Sequence, residues 1–222
     1  MIKLIFFDLD GTLLDSELYW RQTALRLLGS KNMLIPPDIL ERQDEFAFST
    51  MLREVLERPG YAEQLGMTLE ECIAWGRENL SELYRTRIPL KPHAKELLAY
   101  VKSRGFKTVL VTASKEEDVQ AVFDRFGLET YFDCVHSTYN QPENKSKPAL
   151  FEKLAAQFQV KTEECIHVDD ARYALQGARD AGCQAWAVQD FVHKLKVERI
   201  KAAAHRYFET LEDVEKALHD VE

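Results

Sequence analysis

The stretch IFFDLDGTLLD, residues 5–15, sets an apolar run directly against carboxylates. β-Strands favour aromatic and β-branched residues and disfavour aspartate, so Ile5-Phe6-Phe7 predicts a strand that stops where Asp8 begins. Gly11, after Asp10, is a turn residue that carries the chain away. Asp8 therefore stands at the carboxyl end of a strand, with Asp10 two residues beyond it.

Farther along, short apolar runs alternate with amphipathic segments. ELLAYVKSRG reads as a helix closed by Gly105 and KTVLVTAS as a strand; EEDVQAVFDRFG reads as a helix ending at Gly127 and YFDCVHS as a strand. SKPALFEKLAAQF puts Pro148 in the first turn of a helix, followed by the strand ECIHVDD, the helix ARYALQGARDAG and the strand CQAWAV. This regular alternation, with glycine at helix ends, predicts an α/β fold. Its parallel sheet is covered by helices on both faces, and KLIFFD belongs to it. Beyond residue 190, a short strand near HRYF and a terminal helix capped at Thr210 are expected.

Residues 15–88 break the pattern. SELYWRQTALRLLG, PPDILERQDEFAFSTMLREVLER and TLEECIAWGRENLSELYRTR are rich in helix formers, carry no convincing strand, and are punctuated by Pro36-Pro37, Pro59-Gly60 and Gly66. They predict an all-helical domain inserted after the first strand, so that residues 1–14 and 89–222 make up the α/β core domain.

A chain of 222 residues, 45% hydrophobic and 30% charged, can fold as one generous domain or two modest ones. Its net charge of −8 disfavours broad attraction to nucleic acid or an anionic membrane, so a phosphate site has to be assembled locally. Cys72, Cys134, Cys165 and Cys183 are scattered without a C-x-x-C pair, as free thiols in a reducing compartment would be. With no secretory signal pattern and no bilayer-length apolar run, the expectation is a soluble cytoplasmic protein, a monomer or weak homodimer.

Ligands of open parallel sheets bind outside the carboxyl ends of strands, where apolar runs turn polar. Those positions are Asp8 and Asp10, Thr112 and Ser114 after VLV, and Asp169 and Asp170 after IHV, with Lys145 and Lys147 just before a helix. Four gathered carboxylates repel one another unless a cation is bound, and oxygen-only ligands suit Mg²⁺ or Mn²⁺. Hydroxyls, an ammonium and helix N-termini would receive an anion. The combination selects a phosphorylated substrate.

DLDGT at 8–12, Thr112 at a strand end, Lys145 with Pro148 three positions on, and the pair Asp169-Asp170 together resemble the four motifs of the haloacid dehalogenase superfamily of phosphatases. The helical insertion is similar to that superfamily's small cap domain, so the resemblance spans the chain, on the side of phosphoglycolate phosphatase and β-phosphoglucomutase-like proteins. It implies a Rossmann-like core in which Asp8 is the nucleophile that forms an aspartyl-phosphate. Asp10 would protonate the leaving oxygen and then activate water. It further implies Mg²⁺ held by Asp8, the backbone carbonyl of Asp10, Asp170 and Asp169, and a phosphoryl group held by Thr112, Lys145, Ser114 and the N–H of Ala113. The implied partner is a small phosphorylated metabolite: a sugar phosphate, phosphoglycolate or a nucleotide.

Two positions depart from the family pattern. Ser146 follows Lys145 where proline is usual, so Lys147-Pro148 is a competing alignment; and Asp169 precedes Asp170 where glycine or glutamate is common, ligating directly or through water. Mutases of the superfamily carry a histidine where this chain has Trp20, which favours hydrolysis. A β-phosphoglucomutase-like enzyme and a catalytically silent binding or regulatory protein remain the alternatives. Asp15 and Ser16 either start the first inserted helix or take a hinge or substrate-facing role. His93, His136, His167, His193, His205 and His219 show no ligand spacing and read as structural or exposed. Trp20 and Trp75 read mostly as filling of a helical bundle, with Tyr19, Trp20, Arg21, Phe48 and Arg53 as candidates to face substrate.

Overall fold

The computed structural model describes residues 1–42, 48–139, 141–190 and 197–221. Its strands are β1 (Leu4–Phe7), β2 (Lys107–Thr112), β3 (Cys134–Ser137), β4 (Cys165–Asp169), β5 (Gln184–Val188) and β6 (Arg206–Phe208). They form one sheet in the order β3-β2-β1-β4-β5-β6, with every pair parallel. This is the expected Rossmann-like α/β architecture.

Alternate residues of β1 face opposite ways, and both sets are buried. Ile5 and Phe7 join an apolar cluster with α6 (Ala94–Ser103), α7 (Glu116–Phe126, numbered in chain order) and α11 (Leu211–Leu218). Leu4 and Phe6 join a second cluster with α8 (Pro148–Gln157) and α9 (Arg172–Asp180). Each fully buried Phe or Leu contributes about 1.5–3 kcal/mol by leaving water. α10 (Val197–Ala203), whose short sequence carries no clear apolar period, covers β5 through Ile200 and Ala203.

Between β1 and β2 run α1 (Glu17–Gly29), α2 (Pro37–Leu40), α3 (Phe48–Leu56), α4 (Tyr61–Leu65) and α5 (Leu69–Thr86). The stretch 43–47, inside an expected helical segment, lies outside the described residues, as does His193. Ala24, Leu27, Leu28, Ile39, Leu52, Val55 and Cys72 make a separate apolar cluster for these helices, with Trp75 against it. A capping box starts α5: the Glu71 N–H donates to Thr68 Oγ1 at 3.2 Å and the Thr68 N–H to Glu71 Oε2 at 2.7 Å. Cys72, Gly76, Leu80 and Tyr84 then follow at intervals of four as its buried side. Leu80 and Tyr84 reach the cluster of the sheet rather than that of the neighbouring helices. The chain leaving β1 and the chain returning from α5 run side by side, Asp15 N–H donating to Pro89 O at 3.0 Å and Lys91 N–H to Leu13 O at 2.8 Å.

β1 lies between β2 and β4, where the strand order reverses direction. The carboxyl ends of these three strands border the crevice in which such sheets take ligands. All four cysteines are free thiols, and among the described residues no helix is long and apolar enough to cross a membrane.

Candidate active site

Asp8 leaves the ladder one residue after β1, with its N–H donating to Val168 O at 3.0 Å. The chain then turns through Gly11, whose φ of +77° is in the left-handed region that favours glycine. A Cβ there would also meet Asp170 Oδ2 at 2.4 Å, so glycine lets the β1 loop close on the β4 loop. Thr12 Oγ1 lies 3.4 Å from both Asp8 Oδ2 and Asp170 Oδ1, drawing those two carboxylates together. Ser16 precedes α1, yet its hydroxyl accepts from the Gly11 N–H at 3.2 Å instead of capping the helix.

Of the two lysines in the competing alignments, Lys145 is the one that lies against the carboxylates. Its Nζ is buried and donates to Asp8 Oδ1 at 2.5 Å and Asp169 Oδ2 at 2.8 Å, whereas Lys147 is exposed. The approach depends on Gly177 in α9, where a Cβ would fall 2.1 Å from the Lys145 carbonyl oxygen. Behind Asp169 stands His167, fully buried on β4, with Nε2 3.0 Å from Asp169 Oδ2; the other oxygen accepts the Ala171 N–H at 2.8 Å. Although burial acts against it, Asp169 is held at a pKa of about 2, chiefly by Lys145 and His167. Burial also opposes the charge on Lys145, but Asp169 and Asp8 outweigh it and hold the ammonium well above its ordinary range.

Burial pushes the Asp8 carboxyl well above its usual range; Lys145 pulls against this, while Asp169, Asp170 and Asp10 add to the push. Asp8, Asp169 and Asp170 each offer a carboxylate oxygen within 4.8 Å of the others. Such hard oxygen donors, with more negative charge than one ammonium offsets, fit a divalent cation of the Mg²⁺ kind.

Asp10 has different company. Its Oδ1 accepts from the Tyr84 hydroxyl and its Oδ2 from the Ser114 hydroxyl, both at 2.6 Å. Its side chain is thus engaged apart from the Asp8–Asp169–Asp170 group. Ser114, expected beside the phosphoryl group, gives its hydroxyl to Asp10; its N–H donates to Thr112 Oγ1 at 3.0 Å across Ala113. Thr112 is buried at the end of β2.

Three contributors had no motif to announce them. Tyr84 comes from α5, and its visible signal was a polar-tipped aromatic ending a buried stripe. Its hydroxyl accepts from Trp20 Nε1 at 2.9 Å, so Trp20 touches this network and also packs on Phe48 with ring centres 4.9 Å apart. Glu17, half-buried at the start of α1, has its carboxyl pushed well up by burial and by Asp170, Asp190, Asp10 and Asp8. His167 is the third. The other expected substrate-facing residues, Tyr19, Arg21 and Arg53, have no described contact with these carboxylates, and His93 instead pairs with Glu215 at 2.9 Å.

The sequence profile described as haloacid dehalogenase-like hydrolase matches residues 2–182. A phosphoglycolate phosphatase of Vibrio parahaemolyticus is 30% identical over 196 residues, 84% of this chain and 83% of its own. Hexitol phosphatase B of Escherichia coli is 27% identical over 173 residues, 77% of this chain and 76% of its own. Among solved structures, a conserved haloacid dehalogenase-like protein of unknown function from Agrobacterium tumefaciens superposes with a TM-score of 0.80 at 21% identity, covering 100% of this chain and 99% of the other. CbbY of Rhodobacter sphaeroides, solved with phosphate, superposes with a TM-score of 0.77 at 19% identity, covering 96% of each chain.

Proposed function

The chain belongs to the haloacid dehalogenase-like hydrolase family and is an enzyme of the phosphatase kind, and from that premise we propose that it hydrolyses a small phosphomonoester through a phosphoryl group carried on Asp8. The observation that carries this reading is the division of labour between two neighbouring aspartates. Asp8 is held by Lys145 at 2.5 Å, and Asp10 is held separately by the hydroxyls of Tyr84 and Ser114.

In the first half-reaction an Asp8 carboxylate oxygen forms a bond to phosphorus as the bond from phosphorus to the leaving oxygen breaks. The leaving oxygen keeps the electron pair and takes a proton from Asp10, departing as an alcohol. In the second, Asp10 takes a proton from water as the water oxygen bonds to phosphorus; the Asp8–phosphorus bond breaks and phosphate leaves. Lys145 offsets part of the burial that disfavours the Asp8 carboxylate and, with Thr112 and the Ala113 N–H, meets the charge of the phosphoryl oxygens. Asp8, Asp169, Asp170 and the Asp10 carbonyl would hold Mg²⁺, which when bound supplies positive charge to the carboxylates and to a phosphoryl oxygen.

Trp20 supports hydrolysis over transfer to a second hydroxyl of the substrate, because an indole has no acid–base group and its N–H is given to Tyr84. We assign residues 15–88 the role of a cap over the crevice and residues 1–14 and 89–222 that of the catalytic core. The substrate class is that of sugar phosphates, phosphoglycolate and nucleotides. Four free thiols support a reducing, cytoplasmic setting.

The test is phosphate release from a panel of such esters with Mg²⁺ or EDTA, for wild type and Asp8→Asn. Release with Mg²⁺ that EDTA or the substitution abolishes is expected. Release that persists in Asp8→Asn would overturn the proposal, and release indifferent to EDTA would remove the metal from it.

A further inference from the structure

We propose that Tyr84 is a positioning residue for the carboxyl of Asp10, reaching it from the inserted helices; the inference rests on reading Asp10 as the proton donor to the leaving oxygen. Tyr84 is fully buried, with its ring in the apolar cluster of the sheet and its hydroxyl directed at the site. Trp20 Nε1–H can only donate, and it donates to the Tyr84 oxygen at 2.9 Å. The single phenolic proton is therefore directed to Asp10 Oδ1 at 2.6 Å. On the other side Ser114 Oγ donates to Asp10 Oδ2 at 2.6 Å, and Ser114 and Tyr84 oxygens are 3.4 Å apart.

One short hydrogen bond on each oxygen fixes both the plane of the Asp10 carboxyl and its torsion. A carboxylate has about four lone-pair sites, so each oxygen keeps one for a leaving oxygen or a water. The grip is also divided across the molecule. Ser114 follows β2 and is part of the sheet's own edge, whereas Tyr84 and Trp20 sit on α5 and α1. Asp8, by contrast, is held by Lys145 and Thr12 alone among these partners. The aim of Asp10 thus depends on how the inserted helices are seated, and the attack by Asp8 does not.

This separates two kinds of ester. An alkoxide cannot leave without the Asp10 proton, but p-nitrophenolate can. The ratio kcat/KM reports the steps up to transfer of phosphoryl to Asp8, so it isolates the step in which Asp10 acts as an acid. With Mg²⁺ present, Tyr84→Phe is expected to lower kcat/KM for an alkyl phosphomonoester by roughly tenfold or more, a part of the 10²–10⁴-fold that a positioned acid supplies. Its kcat/KM for p-nitrophenyl phosphate should change by less than about threefold. Equal losses on the two esters, or no loss on either, would overturn the proposal.

Asp10→Asn, measured beside it, tests the underlying reading. If that variant too fails to discriminate between the esters, the acid role of Asp10 is wrong; if it discriminates and Tyr84→Phe does not, only the role of Tyr84 is wrong. Trp20→Phe keeps an aromatic ring and removes the donor to Tyr84, and it should show the same selectivity in weaker form. That variant decides the matter should Tyr84→Phe fail to fold, since uniform losses from it would overturn the proposal as well.

Discussion

Asp169 shows how a single buried carboxylate can organise its neighbours. One of its oxygens is shared by Lys145 and His167 and the other takes a backbone N–H, so the lysine that faces Asp8 is anchored from behind. Burial pushes His167 below its ordinary 6.5 despite the Asp169 hydrogen bond. The unfolded chain therefore takes up a proton at this histidine as pH drops below about 6.5 while the folded chain does not. The stability tied to neutral His167 is complete above that pH and is lost below it. Asp169, held at about 2 against 3.8, keeps its contribution down to about pH 4 and loses it as pH falls toward 2. Thermal unfolding of metal-free protein between pH 7 and 5 should accordingly decline less steeply in His167→Phe than in wild type. His136 and His205, also pushed down by burial, leave some slope in the variant. An unchanged slope would mean that His167 is protonated in the fold. At this scale the sequence was informative where apolar runs end in carboxylates, as at Asp8 and Asp169-Asp170. Tyr84, Glu17 and His167 join the site through contacts between distant elements, and a local pattern carries no trace of those.

The elements themselves were readable because their signals are local. Gly127 ends α7 with a φ of +66°, Pro148 opens α8, and Thr210 Oγ1 accepts the Asp213 N–H at 3.1 Å at the start of α11. What was missed is short: α4 lies between Gly60 and Gly66, and α10 is brief enough that its apolar pair, Ile200 and Ala203, makes no clear period. The strand expected from YFDCVHS begins later, at Cys134, because β3 is an edge strand and Tyr131 is taken by a short 3₁₀ turn. Gly177 illustrates a requirement that helix propensity would misjudge. Alanine suits a helix better than glycine by about 1 kcal/mol. Here, however, its methyl would collide with the Lys145 backbone, 2.1 Å from the carbonyl oxygen. Gly177→Ala is expected to destabilise the protein by about 1–3 kcal/mol, the usual cost of forcing atoms into a filled space. Phosphate release should fall in the same variant because Lys145 is displaced from Asp8. A thermal midpoint raised by the substitution would contradict that packing.

Across the whole molecule, the inserted helices have their own apolar cluster but share polar contacts with the sheet domain. Ser81 donates to Asp118 at 2.6 Å, and Arg125 donates to Tyr84 O at 3.2 Å and to Ile88 O at 2.7 Å, fixing the end of α5 to α7. The parallel sheet and the all-helical character of the insertion follow from the pattern of elements. How α5 lies against the crevice does not, since that depends on packing between segments far apart in the chain. With α5 seated there, Asp10 is gripped from both sides while Asp8 belongs to the sheet alone, and the proposed route of hydrolysis requires Asp8 to carry the phosphoryl group. The most direct measurement is to quench the enzyme in acid during turnover of a small phosphomonoester with Mg²⁺ and to find the phosphorylated residue by mass spectrometry of its peptides. A hydroxylamine-labile phosphoryl group on Asp8, present in wild type and missing in Asp8→Asn, is the predicted result. Rapid turnover with no such adduct at any quench time, or an adduct on a different residue, would contradict it.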